Sequence, residues 1–97
     1  MDYIDVHEKF IGRASFALRV TGSSLEPIYS DGDLLLVERT EYLSHNDLGV
    51  FSIDGECRVR RYYKKDGRRQ LLPLNADIPT IPMRSDIKCL GRVLGRA

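Results

Sequence analysis

Ser24 is the residue of this 97-residue chain best placed to serve as a nucleophile. It follows Phe16-Ala17-Leu18-Arg19-Val20-Thr21, whose period-two apolar pattern predicts a half-buried strand, and Gly22, which ends that strand. Beyond it come Pro27, the Asp31-Gly32 turn and Leu34 to Val37, short and apolar enough for a buried strand. A serine just past a strand end, on a glycine-containing turn, is exposed and held by rigid neighbours, which suits a nucleophile. The same placement suits an ordinary capped turn, in which Ser23 or Ser24 caps one helical turn that Pro27 closes. Local pattern alone leaves both readings open.

A serine nucleophile needs a base to take its proton. His45 lies in the polar stretch from Glu38 to Asn46 and could serve only if that loop folded over the turn, and His7 has less positional support, so the surface reading is preferred for both. Cys57 and Cys89 lack C-x-x-C spacing, which points to two buried free thiols and to neither a zinc site nor a disulfide framework; no metal and no cofactor are expected. Arg58, Arg60, Arg61, Lys64, Lys65, Arg68 and Arg69 form a basic run offset only by Asp66. On a hairpin such a run reads first as a solvated edge that resists aggregation. As a nucleic-acid site it would need interleaved aromatics, and only Tyr62 and Tyr63 qualify.

The elements that must position these groups are short strands. Asp54-Gly55 between Asp47 to Ile53 and Glu56 to Tyr63 has the composition of a two-residue type I′ hairpin, whose central positions both need positive φ. Its register then sets Ile53 against Glu56, Ser52 against Cys57, Phe51 against Arg58, Val50 against Val59 and Gly49 against Arg60. Leu48, Val50, Cys57 and Val59 should face the core, while Arg60 projects from the other side, opposite a glycine that leaves room for it. Asp66-Gly67 predicts a second hairpin into Gln70 to Leu74, and Ile87 to Leu94 a last strand, broken or bulged at Gly91. The fold class expected is mostly β, with antiparallel hairpins and little helix, over residues 15–97 behind a leader of residues 1–14.

Composition narrows the class further. Hydrophobic residues at 42% and charged residues at 30% fit a soluble globular domain, and no apolar run approaches the ~18 residues of a membrane span. Met1 to Phe10 carries Asp2, Asp5 and Glu8 without an apolar core, so no signal peptide and a cytoplasmic location are expected. A net charge of +1 gives no global field to attract nucleic acid.

Gly22-Ser23-Ser24-Leu25-Glu26-Pro27, then Asp31-Gly32-Asp33, then GECRVRRYYKK, LLPLN and the closing LGRVLG together resemble the LexA and phage-repressor family of self-cleaving proteins, which includes UmuD. The similarity runs over about residues 15 to 96. It implies the compact, strongly bent β fold shared with signal peptidases, with a serine nucleophile and a lysine general base. By position Ser24 matches the nucleophile. The family's lysine lies in E-V-x-V-K-R, matched here by Glu56, Cys57, Arg58, Val59, Arg60 and Arg61, so Arg60 occupies the base position. Arginine starts at roughly 12.5 or above, and leaving it neutral at pH 7 costs about 7 kcal/mol or more. Lys64 and Lys65 stand roughly 13 to 17 Å further along the strand at 3.3 Å per residue. The Ala-Gly or Cys-Gly bond that such proteins cut occurs nowhere in the chain.

The expectation is therefore a C-terminal regulatory and dimerisation domain of a bacterial or prophage transcriptional repressor, with Ser24 and Arg60 as a disabled dyad. It would form a homodimer, reach DNA only through a helix-turn-helix domain N-terminal to residue 1, and have no membrane partner. Cys89 to Leu94 is the expected dimer surface, as an unprotected edge strand. The alternative is an active Ser-dependent self-cleaving peptidase of an SOS-type repressor, responding to a RecA-like co-effector.

Overall fold

The computed structural model describes residues 12–97. The expected leader lies outside the described residues up to residue 11, as does His7; only Gly12 to Ala14 of it is seen. Among the described residues seven strands form one sheet: β1 Phe16–Arg19, β2 Leu34–Glu38, β3 Leu48–Ile53, β4 Glu56–Lys65, β5 Arg68–Leu72, β6 Ile81–Pro82 and β7 Lys88–Arg96. Their order across the sheet is β1-β2-β7-β3-β4-β5-β6, every neighbouring pair is antiparallel, and no α-helix occurs among the described residues. The mostly-β expectation holds.

The Asp54-Gly55 turn sets the centre of the sheet. Both residues take positive φ, 51° and 82°, and the β3–β4 register runs from Ile53↔Glu56 to Leu48↔Arg61, as the two-residue loop requires. Alternation then splits the ribbon between two cores. Val50 and Val59 join Val20, Leu25, Leu35 and Val37 in one, while Phe51, Ile53 and Tyr62 join Leu71 and Ile87 in the other. Leu35, Val37, Val50, Phe51 and Leu71 are fully buried, and side chains of this size contribute about 1.5–3 kcal/mol each.

β5 starts at Arg68, two residues before the expected Gln70, because Asp66 and Gly67, at φ 53° and 75°, close a turn that sets Lys65 directly opposite Arg68. Cys57 is exposed, not part of the core: the apolar cover over its ribbon face stops at Val59. The space above Gly49 belongs to Leu43 Cδ1 and to the Phe51 ring, which stand where a β-carbon would go, so the glycine makes room for them and not for Arg60.

The largest departure concerns β7. It is an interior strand, paired to β2 on one side and β3 on the other, so Cys89 to Leu94 is not an open edge. Two irregularities let one strand serve both neighbours: Val50 pairs with Gly91 and Phe51 with Cys89, skipping Leu90, while Leu36 pairs with Gly95 and Val37 with Val93, skipping Leu94. The bulge expected at Gly91 thus falls beside it. Gly91 is buried because Val37 Cγ1 and the Glu38 carbonyl oxygen occupy the volume its side chain would need.

Candidate functional site

Ser24 sits on a closed lobe between β1 and β2, tied at its neck by backbone and carboxylate. Gly32 N–H donates to the Val20 carbonyl and Val20 N–H to the Asp33 carbonyl, each at 2.8 Å. Asp31 Oδ1 accepts from Gly22 N–H at 2.7 Å, and Asp33 Oδ2 from Ser30 N–H at 2.8 Å. Arg19 Nη1 donates to the Gly32 carbonyl at 2.8 Å, and Gly22 and Gly32 take φ of 81° and 90°, open to glycine at little cost. The aspartates and glycines of this segment are thus what hold the serine in place.

Within the lobe the capping roles go to carbonyls. Glu26 N–H donates to the Ser23 carbonyl at 3.1 Å, and Ile28 and Tyr29 N–H both donate to the Leu25 carbonyl. Asn75 Nδ2 reaches over from the β5–β6 connection to the Ser23 carbonyl at 3.3 Å. The Ser24 hydroxyl takes no part in the turn and makes no hydrogen bond among the described residues. Leu25 is the anchor, 5% exposed in the first core, and fixes half-buried Ser24 at the core's rim.

The serine opens onto a cleft of about 160 Å³ lined by Leu18, Arg19, Val20, Thr21, Ser24, Leu25, Cys57, Arg58 and Val59. Among the described residues no lysine or histidine lines it. Arg58 shares the cleft and pairs with Glu56. Arg60, opposite Gly49, is on the same ribbon face as Arg58 and is 6% exposed. It is not among the cleft-lining residues, and no hydrogen bond joins it to Ser24 among the described residues. Its Nη1 donates to the Val59 carbonyl at 2.8 Å, while its Nε is buried without a partner. Burial, and then the neighbouring Arg58, push its pKa below the ordinary guanidinium range.

The other candidates for a base lie elsewhere. His45 Nδ1 accepts from the Lys64 backbone N–H at 3.0 Å, and the ring meets Tyr63 edge-on at 4.8 Å. Lys64 and Lys65 end β4 at its far turn, paired with Arg69 and Arg68. Arg61 Nη1 donates to the Asn46 carbonyl at 3.2 Å. The part of Cys57 and Arg58 in the cleft was not foreseen; a register that puts them two and one residues before Val59, which touches the serine's anchor, is the signal that could have shown it. No cluster of metal-ligating side chains occurs among the described residues, and no helix there is long and apolar enough to cross a membrane.

A family model described as Peptidase S24-like matches residues 1–94. Among curated relatives, the LexA repressor of Thermotoga petrophila is 34% identical over 98 residues, covering 97% of this chain and 50% of the relative. The LexA repressor of Clostridium kluyveri is 34% identical over 96 residues, covering 98% of this chain and 45% of its own. That of Desulforamulus reducens is 38% identical over 81 residues, covering 82% and 37%. The chain spans half or less of the length of these relatives.

Proposed function

The chain belongs to the Peptidase S24-like family, and from that premise we propose that it is the regulatory and self-association domain of a LexA-type repressor whose Ser24 no longer attacks a peptide bond. The parent repressor reaches DNA through an N-terminal helix-turn-helix domain, and this domain holds two such heads at paired half-sites one helical turn, or a multiple, apart. With β7 enclosed between β2 and β3, the second copy is assigned to the outer side of β1, which among the described residues pairs only with β2 and is longer than the other edge strand, the two-residue β6.

One feature supports the loss of hydrolysis: by the resemblance an arginine, Arg60, takes the position of the family's lysine, and among the described residues no lysine or histidine lines the cleft at Ser24. A lysine at about 10.4 must fall roughly 3.4 units to be neutral at pH 7, about 4.6 kcal/mol, within reach of burial. Arginine must fall at least about 5.5 units, roughly 7.5 kcal/mol, beyond what burial achieves for a group that spreads its charge over three nitrogens. The downward direction of Arg60's shift is the one a base requires, but its starting point is too high. The half-buried Ser24 hydroxyl then faces the cleft without being activated.

The test uses the full-length parent, incubated at neutral and at alkaline pH and followed by gel and by sedimentation. Intact chain at both pH values, migrating as a dimer, is the expected result. Two fragments that disappear in Ser24→Ala would overturn the loss of hydrolysis, and a monomer at high micromolar concentration would overturn the self-association. Arg60→Lys should gain cleavage only where the parent carries a susceptible bond.

A further inference from the structure

Five of the described arginines meet carboxylates, while the exposed Arg19, Arg39 and Lys88 stand singly on separate strands or loops. Arg13 and Arg92 meet Glu38, Arg92 also meets Asp47, Arg58 meets Glu56, Arg84 meets Asp54 and Asp86, and Arg96 meets Asp33. Lys64, Lys65, Arg68 and Arg69 are exposed and meet none among the described residues. The Asp66-Gly67 turn sets them cation against cation, Lys64 opposite Arg69 and Lys65 opposite Arg68. Like charges directly opposite repel, so the folded hairpin holds a field that an anion would relieve.

Position makes this tip available. The ladder to β3 ends at Arg61 opposite Leu48, and the ladder to β6 begins at Gln70 opposite Pro82, so the turn end projects as a two-stranded ribbon. Alternation sends Lys65 and Arg68 to one face of it and Lys64 and Arg69 to the other. His45 braces the base of the tip through Lys64 N–H and the Tyr63 ring. The tip is cationic on both faces, and that separates one kind of acidic partner from another.

We propose that the β4–β5 hairpin tip is a contact surface for the phosphodiester backbone of duplex DNA. The major groove of B-DNA is about 12 Å wide, admits a two-stranded ribbon and is walled by phosphates on both sides. A ribbon charged on both faces matches that distribution, whereas an acidic protein surface would engage one face and leave the other unpaired. The contact goes to phosphates and carries no sequence preference of its own. It rests on the repressor part of the proposed function and is independent of whether Ser24 hydrolyses anything.

The experiment is fluorescence anisotropy of a labelled duplex of arbitrary sequence, titrated with the 97-residue chain between 50 and 200 mM salt. Four phosphates neutralised give a log–log slope of about −3.6, a loss of roughly 150-fold in affinity over that range. The variant Lys64→Gln/Lys65→Gln/Arg68→Gln/Arg69→Gln takes the formal net charge from +1 to −3, since 1 − 4 = −3, and is expected to lose binding with its circular dichroism unchanged. The face-by-face pairs Lys64→Gln/Arg69→Gln and Lys65→Gln/Arg68→Gln should each remove about half of the slope, which keeps the test decisive if the fourfold variant fails to fold. Three outcomes overturn the proposal: a wild-type slope shallower than about −1, loss confined to one face, or equal salt-dependent affinity for poly-glutamate. Cleavage of the parent would undo the earlier reading and leave this one standing; absence of duplex binding would do the reverse.

Discussion

Replacing Arg60 with methionine should stabilise the fold, because the site holds a cation with too few partners. The residue is buried at 6% exposure, Nη1 has the Val59 carbonyl, Nε has no partner among the described residues, and the neighbouring charge that acts on it is the repulsive one on Arg58. A buried donor left unsatisfied costs about 1–3 kcal/mol, and apolar replacement of buried charges is often stabilising by about 1–4 kcal/mol. Methionine keeps an unbranched, adaptable stem and gives up only the Val59 bond. Setting that loss at about 1 kcal/mol leaves a net gain of roughly 1–2 kcal/mol, several degrees in Tm for a domain of this size. Arg92 is the control, with Nε on Asp47 at 3.0 Å, Nη1 on Glu38 at 2.9 Å and Nη2 on the Tyr42 carbonyl at 3.1 Å. Its hydrogen bond to Asp47 raises its pKa, the reverse of Arg60, and Arg92→Met should destabilise by about 1–2 kcal/mol after allowance for its partial exposure. Both guanidinium groups start well above any working pH, so substitution and not a pH profile tells them apart. Urea unfolding followed by circular dichroism, with unchanged m-values, is the assay. If Arg60→Met lost more than about 1 kcal/mol while Arg92→Met was neutral, the assignment of unmet and met donors would be wrong.

Gly91→Ala should cost about 2 kcal/mol or more in the same unfolding assay, since the new methyl meets Val37 Cγ1 at 2.5 Å and the Glu38 carbonyl oxygen at 2.8 Å; a neutral result would mean β2 and β7 can part freely. Cys57, exposed in the Ser24 cleft, should alkylate about tenfold or more faster at neutral pH than Cys89, whose Sγ lies 3.4 Å from the Thr40 carbonyl; equal rates by mass spectrometry would contradict the burial assigned to Cys89. Burial pushes the Cys89 thiol above its ordinary 9.0, so its contribution to stability is full below that pH and is lost as pH rises through the raised folded value. Cys89→Ala should accordingly flatten part of the alkaline decline, and an unchanged pH profile would assign that decline elsewhere.

The local turns were legible because their chemistry is local. Asp54-Gly55 and Asp66-Gly67 each need positive φ at both positions, and both adopt it, so the β3–β4 ladder follows residue for residue. The serine lobe was legible in outline: Pro27 and Asp31-Gly32 mark its turns, but that the Asp31 and Asp33 carboxylates tie its neck could not be read from spacing. Cys57 and Gly49 were misassigned for a shared reason. Alternation tells which face a residue takes, not how far the opposing layer extends over that face, and here it stops at Val59 on one side and brings Leu43 over Gly49 on the other. The enclosure of β7 was invisible because strand order is a long-range property: Val37 and Val93, or Gly49 and Arg92, are joined by no periodicity. Sequence singled out Ser24 and Arg60, but only the three-dimensional arrangement gives Ser24 a cleft with Cys57 and Arg58 and leaves Arg60 outside its lining.

β2 and β3 never touch through their backbones; β7 is the seam between them. The sheet is thus two leaves, β1–β2 with the serine lobe and β3 to β6 with the basic hairpin, stitched by β7, which follows both leaves in the chain. A chain still emerging from the ribosome would carry both leaves with raw, unpaired margins until residues 88–96 arrive. Any cleft shared between Ser24 and β4 is therefore completed only once β7 has joined the two leaves.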